Sequence, residues 1–284
     1  MSVSCVVLTL GDRAFEVDRA VRSVLSQHGA RVEVLVIGNG CPVPPLSDSV
    51  KTLHIPENIG IPAGRNRGVE ETTGDLILFL DDDGWYPSPD LVEHVRGLFE
   101  ADRRLGIVSF RVVDEEGSTA RRHVPRLRTG EPTRSGDVTL FLGGGCAIRR
   151  EVFEVCGDFP GHFWYAHEEI DFAWRALDHG YRIRYDADSV MQHPQTSPSR
   201  HTLFWRLNAR NRVWLARRRL PWPIAAGYLA TWTMITLTRL RSGANMRAWF
   251  TGFAEGWREP AGTRRPIRWR TALRMLRLGR PPVI

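Results

Sequence analysis

Three consecutive aspartates, Asp81 to Asp83, stand directly after the apolar run Leu76–Leu80. An apolar run of this length, opened by Gly74 and Asp75, predicts a buried strand. Three carboxylates at the end of a strand repel one another unless a divalent cation lies among them. Because ligands of open α/β sheets bind beyond the carboxyl ends of strands, the triplet predicts a Mg²⁺ or Mn²⁺ site for a phosphorylated ligand. The alternative is an acidic turn, since aspartate is common in turns.

A second acidic cluster opens the helix that we predict over residues 167–179. On a helix, Glu168, Asp171 and Arg175 share one face. Asp171 and Arg175 can pair, which leaves Glu169 free to act as a general base. The alternative is an acid-rich helix N-terminus, which the helix dipole favours without any catalytic role.

Two further features of the sequence could contact a ligand. The aromatic rings of Trp164 and Tyr165, just before the second cluster, could stack on the apolar face of a sugar and so contact an acceptor. The glycines Gly143, Gly144 and Gly145 interrupt an apolar segment. Such a run indicates either a close approach of backbone to a ligand or a β-bulge.

The first two thirds of the chain alternate between strand-like and helix-like patterns, which predicts an α/β fold with a doubly wound, mostly parallel sheet and helices on both faces. The predicted strands cover residues 3–10, 32–37, 76–80, 106–113, 181–185 and 189–193, and the predicted helices cover 12–28, 62–71, 89–101 and 167–179. Residues 138–148 form an apolar segment that the glycines interrupt. Residues 114–136 are polar and arginine-rich, and they predict a long functional loop.

The charge divides the chain into two parts. The first 199 residues contain 21 basic and 30 acidic residues, whereas residues 200–284 contain 18 arginines and two acids, Glu255 and Glu259. We therefore expect a catalytic domain over residues 1–199 and a basic, tryptophan-rich helical tail over residues 200–284, beginning with a helix at Leu203–Arg219. Such a tail suits an anionic membrane surface.

Three outcomes are open for this tail. The stretch Leu220–Thr238 has no charge and is about long enough to span a bilayer, but it contains two prolines and four threonines. The tail could instead lie in the headgroup region with Trp205, Trp214, Trp222 and Trp232 at the interface, or pack on the body as an ordinary helical subdomain.

The four cysteines form no zinc-binding pattern, and the N-terminus enters a strand at once, without a signal peptide. We expect a cytoplasmic protein, peripheral on the inner face of the cell membrane.

Several segments carry a family resemblance when they are taken in order. They are Val6–Thr9, Asn58–Gly60, Gly64–Gly68, Leu80–Asp83, Gly143–Gly145, Glu168–Asp171 with Arg175 and Gly180, and finally His193. Over about residues 3–194 the chain resembles the inverting family 2 glycosyltransferases of the GT-A fold.

The resemblance implies roles for individual residues. Asp81 and Asp83 match the DxD motif that binds the metal, and His193 matches a histidine that can complete its shell. Glu169 matches the catalytic base, with Glu168 and Asp171 positioning it or the acceptor. The remaining roles are donor binding by Thr9, Asn39, Arg65, Asp81 and Asp82, and acceptor contact by Trp164, Tyr165 and Gly144. One departure concerns the acid that the family usually has at the end of the second strand, where this chain has Gly38 followed by Asn39.

The sequence thus predicts a Mn²⁺- or Mg²⁺-dependent inverting hexosyl- or deoxyhexosyltransferase. Its donor would be a UDP-, GDP- or dTDP-sugar, and its acceptor a lipid-linked or cell-envelope glycan. A cation would neutralise the diphosphate leaving group, and one base suffices for single displacement. The alternatives are a nucleotidyltransferase, for which Gly11–Arg13 is a sparse signature, and nucleic-acid binding through the tail, which the uncharged run disfavours.

Overall fold

The structure is a computed structural model that describes residues 1–29, 31–127, 131–195 and 202–284. The strands are β1 (Val3–Thr9), β2 (Val32–Asn39), β3 (Lys51–Ile55), β4 (Leu76–Asp81), β5 (Leu105–Val113), β6 (Gly136–Asp137), β7 (Gly145–Arg149) and β8 (Arg182–Gln192). The α-helices are α1 (Ala14–Leu25), α2 (Ile61–Glu70), α3 (Leu91–Ala101), α4 (Arg150–Cys156), α5 (Glu168–Asp178), α6 (Thr202–Arg219), α7 (Trp222–Leu237), α8 (Gly243–Arg258) and α9 (Trp269–Arg277).

One sheet contains all these strands in the order β3-β2-β1-β4-β7-β5-β8-β6. Strands β1 to β4 are parallel to one another, as are β5 and β8, whereas β7 and β6 run antiparallel to their neighbours. The predicted α/β fold with a mostly parallel sheet is therefore confirmed.

The central strands are apolar throughout because both faces of the sheet are covered. Alternate residues of β1 point to opposite sides, so that Val3, Cys5 and Val7 pack with α1 and α3. Val6 belongs to the other core, which contains residues of α2, α4 and α5. This double covering holds the carboxyl ends of β1, β2 and β4 rigidly side by side.

The structure differs from the predicted elements in several places. β8 is one continuous strand, with a register shift against β5, where two short strands were predicted. In the apolar segment 138–148 only the second half forms a strand, β7, which begins at Gly145 after a turn at Gly143 and Gly144. Strand β3 and helix α4 are additional. Within the predicted long loop, the structure has a short 3₁₀ helix (Arg121–His123) and β6, and residues 128–130 lie outside the described ranges.

The C-terminal helices pack on the body of the protein, which is formed by the sheet and helices α1 to α5. The predicted domain boundary at residues 199 and 200 lies outside the described residues, but one hydrophobic core continues across it in space. This core joins Phe163 and Phe172 to Val213 and Trp214 of α6 and to Tyr228 of α7. Residues of α6 and α7 thus share a hydrophobic core with the first part of the chain.

Burial corrects the expected position of the tryptophans. Trp205 is only 9% exposed and Trp214 only 4%, so neither can insert into lipid, whereas Trp222 is 55% exposed. Helical periodicity shows which residues share a face but not which neighbour covers that face. No helix of the described chain is long and apolar enough to cross a bilayer.

Candidate active site

A cavity of about 710 Å³ opens at the carboxyl ends of β1, β2 and β4. The register of the sheet places Asp81 of β4 beside Leu8 of β1. Helix α6 contributes Leu203, Phe204 and Leu207 to the wall, so the C-terminal helices complete the cavity. Of the predicted site residues, the lining includes Thr9, Asn39, Arg65, Asp81, Asp82, Asp83, Trp164, Tyr165 and His193.

The loop after β4 brings His193 to the aspartates. The backbones of Trp85 and Gln192 exchange two hydrogen bonds of 2.9 Å, which join this loop to the end of β8. As a result, Nε2 of His193 lies 2.9 Å from Oδ1 of Asp83. The bridge between Trp85 and Gln192 thus holds His193 against Asp83, although these two residues are 110 positions apart in the sequence.

Sequence reasoning missed Arg13, which follows β1. Its guanidinium pairs with Asp83 and lies 3.3 Å from Oδ1 of Asp82. Together with His193, it offsets the charge of the triplet. The sequence did contain a signal for this residue, because Arg13 lies four residues beyond the first strand and faces the predicted acidic site.

These contacts shift the pKa values of the cluster. Burial alone would raise the pKa of Asp83, but the hydrogen bond and charge of His193 and the charge of Arg13 lower it below its usual value. Burial raises the pKa of Asp82 to about 6, although Thr9 and Arg13 counteract it. Burial would lower the pKa of His193, yet its bond to Asp83 raises the value above normal.

The residue types at this site fit a divalent cation, since carboxylate oxygens of Asp81 and Asp83 and an imidazole nitrogen of His193 suit Mn²⁺. Asp83 is paired with His193 and Arg13 in this structure, so binding of a cation would require these groups to exchange partners. The side chain of Asp81 is 45% exposed and open to the cavity. A Cβ atom on Gly144 would overlap this carboxylate, so the glycine leaves the space around it free.

Another cluster of metal-binding residue types lies elsewhere among the described residues. It consists of His94, Asp186 and Asp188, none of which lines the cavity. The carboxylate of Asp186 already accepts hydrogen bonds from Ser189 at 2.8 Å and from Arg184 at 3.2 Å, and it pairs with His94 at 2.8 Å. Its oxygens are satisfied by the protein, so the cluster is explained as a structural network.

The two glutamates at the start of α5 differ in exposure. The side chain of Glu169 is 24% exposed and its Oε1 lies 3.3 Å from Arg65, whereas that of Glu168 is only 3% exposed. Burial, and then the charge of Glu169, raises the pKa of Glu168. Neither glutamate lines the cavity itself, but Arg65, which pairs with Glu169, does. A Cβ atom on Gly143 would overlap both Arg65 and Glu169, which explains that glycine.

The loop before α5 has an unusual backbone. Trp164, Ala166 and His167 all have positive φ values, between 63° and 71°, which non-glycine residues rarely adopt. Asn211 of α6 compensates for this strain. Its buried amide donates hydrogen bonds to the carbonyl oxygens of Phe163, Tyr165 and Ala166 at 2.7–3.0 Å. Thus α6 fixes the segment that carries the predicted acceptor residues Trp164 and Tyr165.

Asp171 lies away from the cavity, which corrects its expected place among the catalytic residues. Its side chain is completely buried, and its carboxylate pairs with Arg175 at 2.9 Å, Arg219 at 2.7 Å and Arg218 at 3.2 Å. Although burial opposes it, the charge of these arginines lowers the pKa of Asp171 far below normal. Asp171 and Arg175 pair as predicted, but the carboxylate of Asp171 serves to join α5 to α6.

Two predicted donor-binding side chains are already engaged. The Thr9 hydroxyl accepts a hydrogen bond from the Gly11 N–H at 3.1 Å. The Asn39 amide donates to Asn58 at 3.1 Å and accepts from the Ile59 N–H at 3.0 Å, so it orders the loop before α2. No side chain fits at Gly38, because a Cβ atom would overlap the carbonyl oxygen of Cys41, which accounts for the missing acid.

Residues 4–157 match the model of the family described as glycosyl transferase family 2. Among characterised relatives, the pre-mycofactocin glycosyltransferase of Mycobacterium tuberculosis is 26% identical over 249 residues, which is 80% of this chain and 48% of the relative. The chain thus spans about half the length of this relative.

Solved structures share the fold. S. aureus TarS 1–349 in complex with UDP-GlcNAc superposes with a TM-score of 0.62 over 96% of this chain and 83% of that one, at 13% identity. The mannosyltransferase PcManGT from Pyrobaculum calidifontis, in complex with GDP-Man and Mn²⁺, gives a TM-score of 0.55 over 97% and 84%, at 18% identity.

Proposed function

Because the chain belongs to glycosyl transferase family 2, we propose that it is a metal-dependent inverting glycosyltransferase whose donor is a nucleotide sugar. The single observation that carries this proposal is the cavity beyond the parallel strands, where the carboxylates of Asp81 and Asp83 lie with His193 and Arg13. Two structural neighbours that bind nucleotide sugars, UDP-GlcNAc and GDP-Man, support a donor of this class.

Mn²⁺ or Mg²⁺ is part of the proposal, with Asp81, Asp83 and His193 as its ligands. The cation would offset the charge that develops on the diphosphate leaving group. Arg13 pairs with Asp83 in this structure, and its guanidinium would be available to a diphosphate oxygen if the cation engaged that carboxylate.

Glu169 is the proposed base. It takes the proton of the acceptor hydroxyl while that oxygen forms the bond to the anomeric carbon and the bond to the diphosphate breaks on the opposite face. Its partial exposure supports this role, whereas Glu168 is enclosed by protein. Arg65 pairs with Glu169 and also lies 3.5 Å from Asp81, so it would hold the base in a fixed position relative to the donor.

The acceptor would contact Trp164 and Tyr165 on the cavity wall. We propose a lipid-linked or cell-envelope glycan, because residues 202–284 expose apolar side chains among arginines. Trp222, Met234, Trp257 and Trp269 are between 45% and 69% exposed. A groove of about 740 Å³ between α6, α7 and α8 adds further apolar surface. These features support peripheral binding to the inner face of the cell membrane.

A donor screen tests the proposed reaction. Purified full-length protein is incubated with UDP-, GDP- and dTDP-sugars in Mn²⁺, Mg²⁺ or EDTA, and release of the nucleoside diphosphate is measured. We expect turnover of at least one donor with a cation and none in EDTA. Release of pyrophosphate from a nucleoside triphosphate and a sugar phosphate would instead indicate a nucleotidyltransferase.

A further inference from the structure

A second polar cavity, of about 160 Å³, lies on the far side of the α5 N-terminus. Residues of α5, α6, α7 and α9 meet there with the C-terminal residues, and none of its lining residues belongs to the cavity described above. The polar residues that line it are Thr139, His167, Trp174, Arg212, Tyr228, Trp232 and Arg280.

Several buried polar atoms at this cavity lack a hydrogen-bond partner in the protein. They include Nε of Arg212 and Nε1 of both Trp174 and Trp232, and these three groups can only donate. Trp174 is 3% exposed and Arg212 is 7% exposed. Buried polar groups in folded proteins are almost always hydrogen-bonded, so a cluster of free donors around one cavity indicates a bound acceptor.

The charge of the cavity indicates that this acceptor is an anion. Arg212 and Arg280 have no carboxylate within ion-pair distance among the described residues. Arg212 instead contacts neutral groups, the Tyr228 hydroxyl at 3.1 Å, Asn208 at 3.3 Å and the Trp232 ring at 3.8 Å. A guanidinium does not lose its proton in a protein, and burying it without a counter-charge is unfavourable. Water could satisfy the N–H groups but could not neutralise two arginines.

We propose that this cavity binds a small oxyanion, namely a phosphate, sulfate or phosphodiester group, through Arg212, Arg280 and the indole N–H groups of Trp174 and Trp232. Its volume suits one such group and is far below that of the 710 Å³ donor cavity. The anion could be free in solution or belong to the headgroup of a membrane lipid. The site does not depend on the proposed glycosyl transfer.

Occupancy of this site would act on the active-site loop. His167, which lines the cavity, is the residue before Glu168 and has a φ of 71°. A bound anion would neutralise the positive charge of the two arginines that line the cavity beside this segment. We expect it to raise the melting temperature of the protein.

Calorimetric titration of the full chain tests the proposal with two probes, inorganic phosphate and short-chain phosphatidylglycerol below its micelle concentration. The informative variant is Arg280→Gln, because this residue is only partly buried and its replacement leaves the core intact. Arg277→Gln, an exposed arginine three residues earlier, is the matched control. We expect Arg280→Gln to weaken binding about 10-fold or more, since it removes a charged hydrogen-bond donor, and Arg277→Gln to bind as the wild type does.

The two probes distinguish the source of the anion. Binding of phosphate that is lost in Arg280→Gln supports a free anion, and binding of phosphatidylglycerol alone with the same dependence supports a lipid headgroup. Trp232→Phe deletes one indole N–H and should therefore weaken the binding of the same probe. Failure of both probes to bind, or equal binding by Arg280→Gln and Arg277→Gln, would overturn the proposal.

Discussion

The guanidinium of Arg65 lies 3.3 Å from Oε1 of Glu169 and 3.5 Å from Oδ1 of Asp81. Arg65 belongs to α2, Glu169 to α5 and Asp81 to β4, so three separate elements converge on one buried cation. Through it, the carboxylate proposed to bind the metal and the carboxylate proposed to act as base are held in one arrangement.

We expect Glu169→Gln to lower kcat by about 10²-fold or more with little change in donor affinity. A general base contributes to the transition state rather than to donor binding, and its loss typically costs this much. Steady-state kinetics and donor titration measure the two quantities separately.

Glu168→Gln is the matched control for this prediction. Burial already raises the pKa of Glu168, so a neutral amide of the same shape changes little. If Glu168→Gln were inactive while Glu169→Gln turned over normally, the base would be Glu168.

We expect His193→Ala to weaken Mn²⁺ binding about 10-fold or more, because it removes a ligand and leaves Asp83 with Arg13 alone. Mn²⁺ titration followed by paramagnetic resonance measures this. His123→Ala is the control, since it removes a neighbouring imidazole whose ring centre lies 6.5 Å from that of His193. Unchanged affinity in His193→Ala would remove this residue from the metal site.

We expect Asp171→Asn to destabilise the protein by about 3–5 kcal/mol at pH 7, because three buried arginines lose their counter-charge. The pKa of Asp171 is lowered in the folded state. Its contribution is therefore complete above its unfolded pKa of about 3.9 and disappears as the pH falls through the folded value. Urea unfolding of both proteins from pH 7 to pH 3 should show the difference shrinking only at the acidic end.

Asp18→Asn supplies the comparison for this experiment. Asp18 forms an exposed pair with Arg22 on α1, so its replacement should change the free energy of unfolding by less than about 1 kcal/mol. An equally small effect of Asp171→Asn at pH 7 would contradict the structural role of the arginine cluster.

The C-terminal helices should bind anionic vesicles through exposed arginines. We expect the charge reversal Arg239→Glu/Arg241→Glu to reduce flotation with phosphatidylglycerol vesicles, at roughly 1 kcal/mol for each arginine near the surface. Arg103→Glu/Arg104→Glu, at exposed positions on the catalytic body, is the control. Equal flotation of both double variants, or equal binding to neutral vesicles, would exclude this surface as the electrostatic contact.

The sequence predicted those features that depend on local pattern. The apolar run before Asp81 predicted a buried strand, and parallel strands bring their carboxyl ends to one edge of the sheet. The place of His193 near the aspartates was implied by the family resemblance. The sequence could not predict the partners of Asp171 on α6, because Arg218 and Arg219 reach it only after α6 has packed on α5. The burial of Trp205 depends on the packing of α6 against α8, where it lies in one cluster with Trp249, and no periodicity reveals this.

The most direct test of the central claim is the equilibrium binding of nucleotide sugars to wild type and Asp81→Asn, with Mn²⁺ and with EDTA. We predict that at least one UDP-, GDP- or dTDP-sugar binds the wild type in Mn²⁺. Removal of the cation should weaken that binding about 10-fold or more, and so should Asp81→Asn, whose effect should vanish in EDTA. Equal affinity of wild type and Asp81→Asn for that donor in Mn²⁺ would contradict the account.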